Sequence, residues 1–322
     1  MIEVELDVAS MAKVRVCSSP IVDVAAWMCL TAQGGRHPAL GDPGPAARFA
    51  LRDKDVARAA LILVTAERRR YVPDFAAPKP ACLPDDRILD DQLARVRATP
   101  AARAHHEAGI HWPASGPSLT QFAGDDVAGV MASGLWRFWR QVLAEDWPTL
   151  RRTLQDQVRR SAETAGQHGV GTMLSSAHPA LTWTGRAFCI DKSIDRRLSF
   201  VDREMVLVPS LLTSPRITVQ LDDAEDTYVT YPVRAAPVRR LARGGTARLL
   251  GRGRTTVLSA LRIPATTREV ARRVRLSEST VSHHLHSLAD AGLVHGARRG
   301  RHVRYALTVA GQGLLDAVEA AG

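Results

Sequence analysis

Hydrophobic and polar positions along the chain switch between a period of two and a helical period, and the switches mark its elements. Ile2, Val4, Leu6 and Val8 alternate with charged residues, so residues 1–8 are predicted to form a half-buried strand. Over residues 20–32, Ile21, Val24 and Met28 share one helical face, and Pro20 suits a first helical position. Residues 35–45 read as a loop from their Gly and Pro content. A helix is predicted over 46–70, with Ala59, Ile62 and Leu63 in its apolar middle. Prolines make 73–84 an extended connection, and a helical pattern resumes over 88–99. Residues 127–147 form the most apolar predicted helix, with a stripe of Met131, Leu135, Phe138 and Val142 widened by Trp136, Trp139 and Leu143. Pro148 opens a second helix that runs to about residue 166. After Thr182 the pattern turns to strands, at 205–208, 217–221 and 227–231.

The densest local signals lie between Thr266 and Thr308. Thr266 and Glu269 have capping-box spacing, and Val270, Ala271 and Val274 give the following helix a short apolar face. Arg275 and Leu276 make a tight turn, and Ser277 is an N-cap for a second helix with Glu278 in its first turn. Val281, Leu285 and Leu288 recur at i, i+4 and i+7 as a buried stripe. The other side carries Ser279, Thr280, Ser282, His283 and His286, short hydrogen-bonding groups able to approach base edges in a major groove. Beyond Gly292, residues 293–297 and 302–307 read as two strands around the tip Arg298-Arg299-Gly300-Arg301. Two helices, a turn and a basic hairpin make a helix-turn-helix with a β-wing.

Charge sharpens that division. The 322 residues allow two or three domains and carry a net charge of +10. From Pro237 onward there are 15 arginines, no lysine and five acids, a net of +10, whereas the preceding 236 residues balance to zero. Excess arginine confined to one segment is the footprint of a polyanionic partner, because arginines beside phosphates release condensed counterions. The four cysteines, Cys17, Cys29, Cys82 and Cys189, are scattered, which argues against a disulfide framework or a cysteine zinc site. The N-terminus is unlike a signal peptide, and no apolar run approaches the ~18 residues that span a bilayer, so a cytoplasmic protein without membrane contact is expected.

Catalytic signatures are missing: there is no G-x-S-x-G elbow, P-loop, H-E-x-x-H or strand-bound G-x-G-x-x-G, and the chain reads as no enzyme, with no cofactor. His105, His106, Glu107 and His111 lack a metal-ligand spacing and read as exposed loop residues. The pairs Asp85-Asp86, Asp90-Asp91, Asp125-Asp126 and Asp222-Asp223 read as solvated loops or helix starts. Trp136, Trp139 and Trp147 could wall a ligand pocket, although an aromatic stripe at helical spacing is more often core.

The run SESTVSHHLHSLADAGLV with RRGRHVRYALT resembles the recognition helix and wing of ArsR-type winged-helix transcription regulators, over about the last quarter of the chain. FWRQVLAEDWPTLRRTL, MVLVPSLL and TYVTYPV are similar to a poorly characterised domain that precedes such winged helices. The resemblance implies an α+β chain: a mixed regulatory domain over residues 1–236, then a winged helix-turn-helix domain over 237–322. It further implies a homodimeric repressor that reads a pseudo-palindromic operator in double-stranded DNA, with a small-molecule effector held by the N-terminal domain at residues that stay unknown. Ser279, Thr280, Ser282, His283 and His286 would contact bases or phosphates, and Arg298, Arg299, Arg301 and Arg304 the flanking backbone or minor groove. The last helix, with Val309, Leu314, Leu315 and Val318, would pack on the partner. Family metal sites use a cysteine pair beside the helix before recognition, or His and acidic residues on the last helix; here that first helix has no cysteine and the last has no histidine, with only Asp316 and Glu319 remaining, so no metal is expected. Two other readings stay open: an enzyme-like N-terminal domain tethered to a winged helix, and a basic winged helix that contacts protein or RNA.

Overall fold

The alternating N-terminus is the strand β1 (Ile2–Leu6), with Ile2, Val4 and Leu6 buried and Glu5 exposed. The computed structural model describes residues 1–68, 72–81, 85–109, 122, 124–213, 215–233, 245–299 and 302–319. Contacts divide the chain into two units, Met1–Pro43 with Ala50–Val238, and Gly44–Phe49 with Arg239–Gly322. The architecture is mixed helix and sheet.

Two four-stranded sheets build the first unit. One has the order β3 (Leu181–Trp183), β4 (Ala187–Ile190), β1, β5 (Arg196–Phe200), with β1 antiparallel to β4 and parallel to β5. The other runs β2 (Val14–Val16), β6 (Met205–Ser210), β8 (Tyr228–Pro232), β7 (Thr218–Gln220); its first three strands are parallel and β7 is antiparallel. Every residue of β6 is buried, as a parallel strand covered on both faces requires, and this is why it reads as an unbroken apolar run. Ile2, Val4, Phe188 and Phe200 of one sheet share an apolar cluster with Met205, Leu207, Val229 and Tyr231 of the other. Met173 and Leu174, from a helix at Val170–Ala177, join it.

The helices of this unit are α1 (Val8–Ala12), α2 (Pro20–Ala32), α4 (Lys54–Arg68), α5 (Asp85–Arg97), α6 (Ala101–Ala108), α7 (Val127–Phe138), α8 (Trp147–His168) and α9 (Val170–Ala177). α7 is the central one and packs against α2, α4, α5 and α6. Gly134 makes the approach to α4 possible, since a Cβ there would lie 2.5 Å from Ala59 Cβ and 2.6 Å from the Asp55 carbonyl oxygen.

Several predicted elements are corrected. The helix predicted over 46–70 is two, α3 (Gly44–Ala50) and α4. The break has a local cause: Asp53 accepts the orphan N–H groups of Asp55 (3.0 Å) and Val56 (3.3 Å) and so starts a new helix. The helix predicted over 127–147 ends at Phe138, and Trp139–Leu143 forms a π-helical turn before α8. His105, His106 and Glu107 lie on α6 rather than on a loop, and His111 falls outside the described residues. Strands β2 to β5, α1 and α9 are additions to the predicted set.

The second unit contains α10 (Gly245–Ala260), β9 (Ala265–Thr266), α11 (Thr267–Val274), α12 (Glu278–Asp290), β10 (Val294–Arg299), β11 (His302–Leu307) and α13 (Val309–Glu319). Its antiparallel sheet has the order β10-β11-β9. Val257, Leu258 and Leu261 of α10 meet Val270, Val281, Leu285, Leu288, Val294 and Leu315 in one core. Leu315 is fully buried there and Leu314 packs beside it, so part of the face expected to meet a partner is used within the unit; Val309 is exposed. Among the described residues no helix is long and apolar enough to cross a membrane.

Candidate nucleic-acid interface

Reciprocal capping fixes the start of α11. Thr266 Oγ1 accepts from Glu269 N (3.3 Å), while the Glu269 carboxylate accepts from Thr266 N (2.8 Å) and from the Thr266 hydroxyl (3.1 Å). These bonds hold the Glu269 carboxyl below the usual carboxylate range. α11 ends on Arg275, which takes the left-handed region at φ 54°. That conformation costs a non-glycine residue roughly 1–2 kcal/mol. Leu276 N then donates to Ala271 O (3.2 Å), and the chain turns directly into α12.

Ser277 caps α12, its Oγ accepting from Thr280 N at 3.1 Å. The same oxygen lies 2.9 Å from Ser279 Oγ and 2.7 Å from Thr280 Oγ1. Two of the hydroxyls singled out as DNA contacts are therefore tied to the cap and held at the helix N-terminus, where the dipole favours a phosphate. Val281, Leu285 and Leu288 are fully buried on one side of α12, whereas Ser279, Thr280, His283 and His286 are exposed and Ser282 is half-buried. His286 Nδ1 lies 2.7 Å from the Ser282 carbonyl. As a donor to that oxygen, Nδ1 keeps the proton, and in the neutral ring Nε2 is then an acceptor suited to an exocyclic base amine.

His284, beside the buried stripe, packs against α10. A Cβ at Gly253 would come 2.8 Å from His284 Nε2, so a larger residue there would have to displace the ring. Its Nδ1 has no hydrogen-bond partner among the described residues. Burial, with the charge of Arg254 and the neighbouring His283 ring, lowers its pKa.

Of the wing arginines, Arg298 and Arg299 end β10, paired with Val303 and His302 of β11. Their side chains, and Arg301 altogether, lie outside what is described. Arg304 is exposed and donates to Pro264 O at 2.6 Å, tying the hairpin to the segment before α11. Arg268, Arg272, Arg273 and Arg275 add further exposed positive charge.

Residues 254–297 match the helix-turn-helix domain family. The matched span opens in α10, contains α11, the turn and α12, and closes in β10. Residues 135–237 match a family of unknown function, DUF5937, which takes in α8, α9 and the strands β3 to β8. Neither a curated protein nor a solved structure matches the chain. The helix-turn-helix domain supports a DNA-binding role in transcription regulation, and the domain ahead of it brings no function with it.

The other sequence candidates take structural parts. Trp139 and Trp147 are buried and meet edge-to-face at 4.9 Å, while Trp136 is exposed under Arg140. Asp125 pairs with Arg58, Asp126 caps α7 through Gly129 N (2.9 Å), Asp222 pairs with Arg196 and Asp223 with Arg103. Asp90 is exposed at the surface of α5, and the side chains of Asp85 and Asp86 lie outside what is described. Among the described residues no three His, Cys, Asp or Glu side chains gather as a metal site.

A feature with no sequence counterpart is a cavity of about 260 Å³ in the first unit, between α2 and the segment around Leu212 to Thr218. None of the three tryptophans lines it. Its walls come from positions nearly 200 residues apart, so no local pattern announces it.

Proposed function

We propose that the protein is a homodimeric, ligand-responsive repressor of the ArsR type that works in the cytoplasm, with α12 as its reading helix and the β10–β11 hairpin as its wing. The observation that carries this reading is the division of α12 within a helix-turn-helix domain: an apolar stripe packed into the core and an exposed edge of Ser279, Thr280, His283 and His286. Each subunit lays that edge in a major groove. Ser282 contributes at its margin, and Arg298, Arg299, Arg301 and Arg304 hold the flanking backbone or enter the minor groove. A dimer reads two half-sites about one turn (~10 bp) or a multiple apart. The N-terminal domain is a non-catalytic sensor, and its effector shifts DNA affinity by preferring one placement of the two reading heads.

The test is a titration of the full chain against its own upstream intergenic duplex and a scrambled duplex over a salt series. The reading expects tight binding to the first alone, with a steep salt slope. Absence of binding to either duplex at low salt would overturn it.

A further inference from the structure

The cavity of the first unit has a chemistry of its own. Val22, Ala25, Leu30, Leu63, Leu212 and Pro215 give it an apolar lining. The polar side chains that join them are Cys29, Gln33, Arg36, Thr213, Arg216 and Thr218. Tyr228 contributes too, but its hydroxyl is already committed as a donor to Ala77 O at 2.7 Å. Two lining residues are cationic and, among the described residues, none is a carboxylate. Arg36 and Arg216 are both exposed, which puts the charge at the solvent side of the cavity.

Three physical arguments narrow the occupant. A cationic ligand would meet two arginines and no carboxylate among the described lining residues, an unfavourable encounter in a partly desolvated site. The Cys29 thiol does not supply that counter-charge, because burial pushes it up to about 12 and it stays protonated; the charge of Arg216 acts on it in the opposite direction, so the guanidinium's field reaches the cavity wall. Size sets the third limit. At about 260 Å³ the space is smaller than the roughly 300–1,000 Å³ of sites for drug-sized ligands. It is still well above the roughly 150 Å³ that accommodates a benzene ring.

We propose that this cavity binds a small amphiphilic monocarboxylate, with one ring or an aliphatic chain of similar bulk lying on Val22, Ala25, Leu30 and Leu63 and the carboxylate at Arg36 and Arg216. The proposal deepens the reading of the first unit as the sensing part and names the chemical class that it senses. Exposed arginines at a mouth select for an anion, and the apolar floor selects against small hydrophilic acids such as acetate.

The experiment is calorimetric titration of the full chain with 3-phenylpropionate and octanoate, alongside 3-phenylpropanol and 3-phenylpropylamine as neutral and cationic counterparts. Either acid should bind at least roughly tenfold more tightly than the alcohol, and the amine most weakly, as loss of a charge-assisted hydrogen bond requires. Preference between the two acids assigns ring or chain. Arg36→Gln and Arg216→Gln should each weaken acid binding by roughly tenfold and leave the alcohol within about twofold. Ala26→Phe, which fills the cavity from α2, should abolish binding of all four; the exposed Arg36→Gln keeps the test open should that variant fail to fold. Equal affinity for acid, alcohol and amine, or no binding by any probe at millimolar concentration, would overturn the proposal. DNA affinity is measured separately with and without the bound acid. Charge-selective binding with unaltered DNA affinity leaves the site standing and removes its role as effector site. Loss of the DNA-binding reading leaves the calorimetry unchanged.

Discussion

In the first unit basic side chains meet carboxylates from distant parts of the chain: Arg95 with Asp226 (2.9 Å), Lys79 with Glu204 (2.8 Å), Arg103 with Asp223 (3.2 Å), Arg137 with Asp53 (3.0 Å) and Asp55 (3.3 Å). In the second unit, beside an exposed pair of Arg268 with Glu278 (3.6 Å), two arginines are held by backbone carbonyls. Arg273 donates to Ala260 O (2.8 Å) and Ile263 O (3.1 Å), and Arg304 donates to Pro264 O. The difference matters because a carboxylate cancels the guanidinium charge, whereas a carbonyl positions it and leaves it in place. Neutral pairing ties a fold together without a long-range field. Carbonyl-held arginines keep a field that a polyanion can use, and the whole +10 of the chain falls in the last segment because its 15 arginines face only five acids.

The severest way to test that the units serve separate ends is to break one core. Leu285 is fully buried in the second unit, and Leu285→Ala should cost about 2–5 kcal/mol of that unit's stability. Urea denaturation monitored together with a DNA titration should show DNA binding lost while the transition of the first unit keeps its midpoint. A single transition that moves as a whole would mean that both units unfold as one block, and the comparison would fail.

Next comes a buried acid in the first unit. Asp23 accepts from Ser210 Oγ (2.5 Å), Leu211 N (3.1 Å) and Leu212 N (2.9 Å), yet its Oδ2 has no partner among the described residues. Burial pushes its carboxyl up to about 6 from the ordinary 3.8, against the pull of those three bonds. The folded state therefore holds the proton more tightly than the unfolded one. Its contribution to stability is complete below about pH 4 and is lost as pH rises through about 6, by roughly 2–3 kcal/mol. Asp23→Asn should flatten this slope in the first unit's urea midpoint. An unchanged slope in the variant would assign it to other groups.

How far the sequence spoke also differs between the units. In the second, the determinants are local: Thr266 and Glu269, Ser277 and Thr280, and Val281, Leu285 and Leu288 sit three or four residues apart and act within a turn or two of helix. The helix-turn-helix was legible for that reason, as was its polar edge. The short β9 was not, because two residues carry no periodicity and their pairing with β11 is some 40 residues distant. In the first unit the informative contacts are remote. β1 pairs with strands near 190 and 200, and the Asp23 carboxylate serves the turn after β6. The break at Asp53 was legible in principle, since an Asp two and three residues ahead of free N–H groups is a helix start, but the apolar pattern on both sides hid it. The cavity combines both problems.

Smaller effects test the reading edge itself. His283→Ala should lower discrimination between operator and scrambled duplex by about 1–3 kcal/mol, while Arg304→Ala should weaken both duplexes alike and reduce the salt slope by about one. If Arg304→Ala altered site preference instead, its hold on Pro264 O would be setting the placement of the wing, and the division between charge and base reading would shift.

The smallest expected effect concerns the capping box, and it sets the two units in opposition. Thr266→Ala removes the acceptor for Glu269 N and should cost about 1 kcal/mol of the second unit's stability. The pH response carries the sharper information. Because the Thr266 bonds lower the Glu269 carboxyl, the folded state holds that proton less tightly than the unfolded state does. The stabilisation is present above the ordinary carboxylate value and disappears as pH falls through the lowered one. The second unit should thus weaken towards acid, while Asp23 makes the first weaken towards neutrality. Following both transitions of the wild type and of Glu269→Gln from pH 3 to 7 separates the two. The variant should lose part of the acid-side dependence in the second unit alone, because a carboxylate held by backbone N–H on an exposed helix start acts only on the turn it caps.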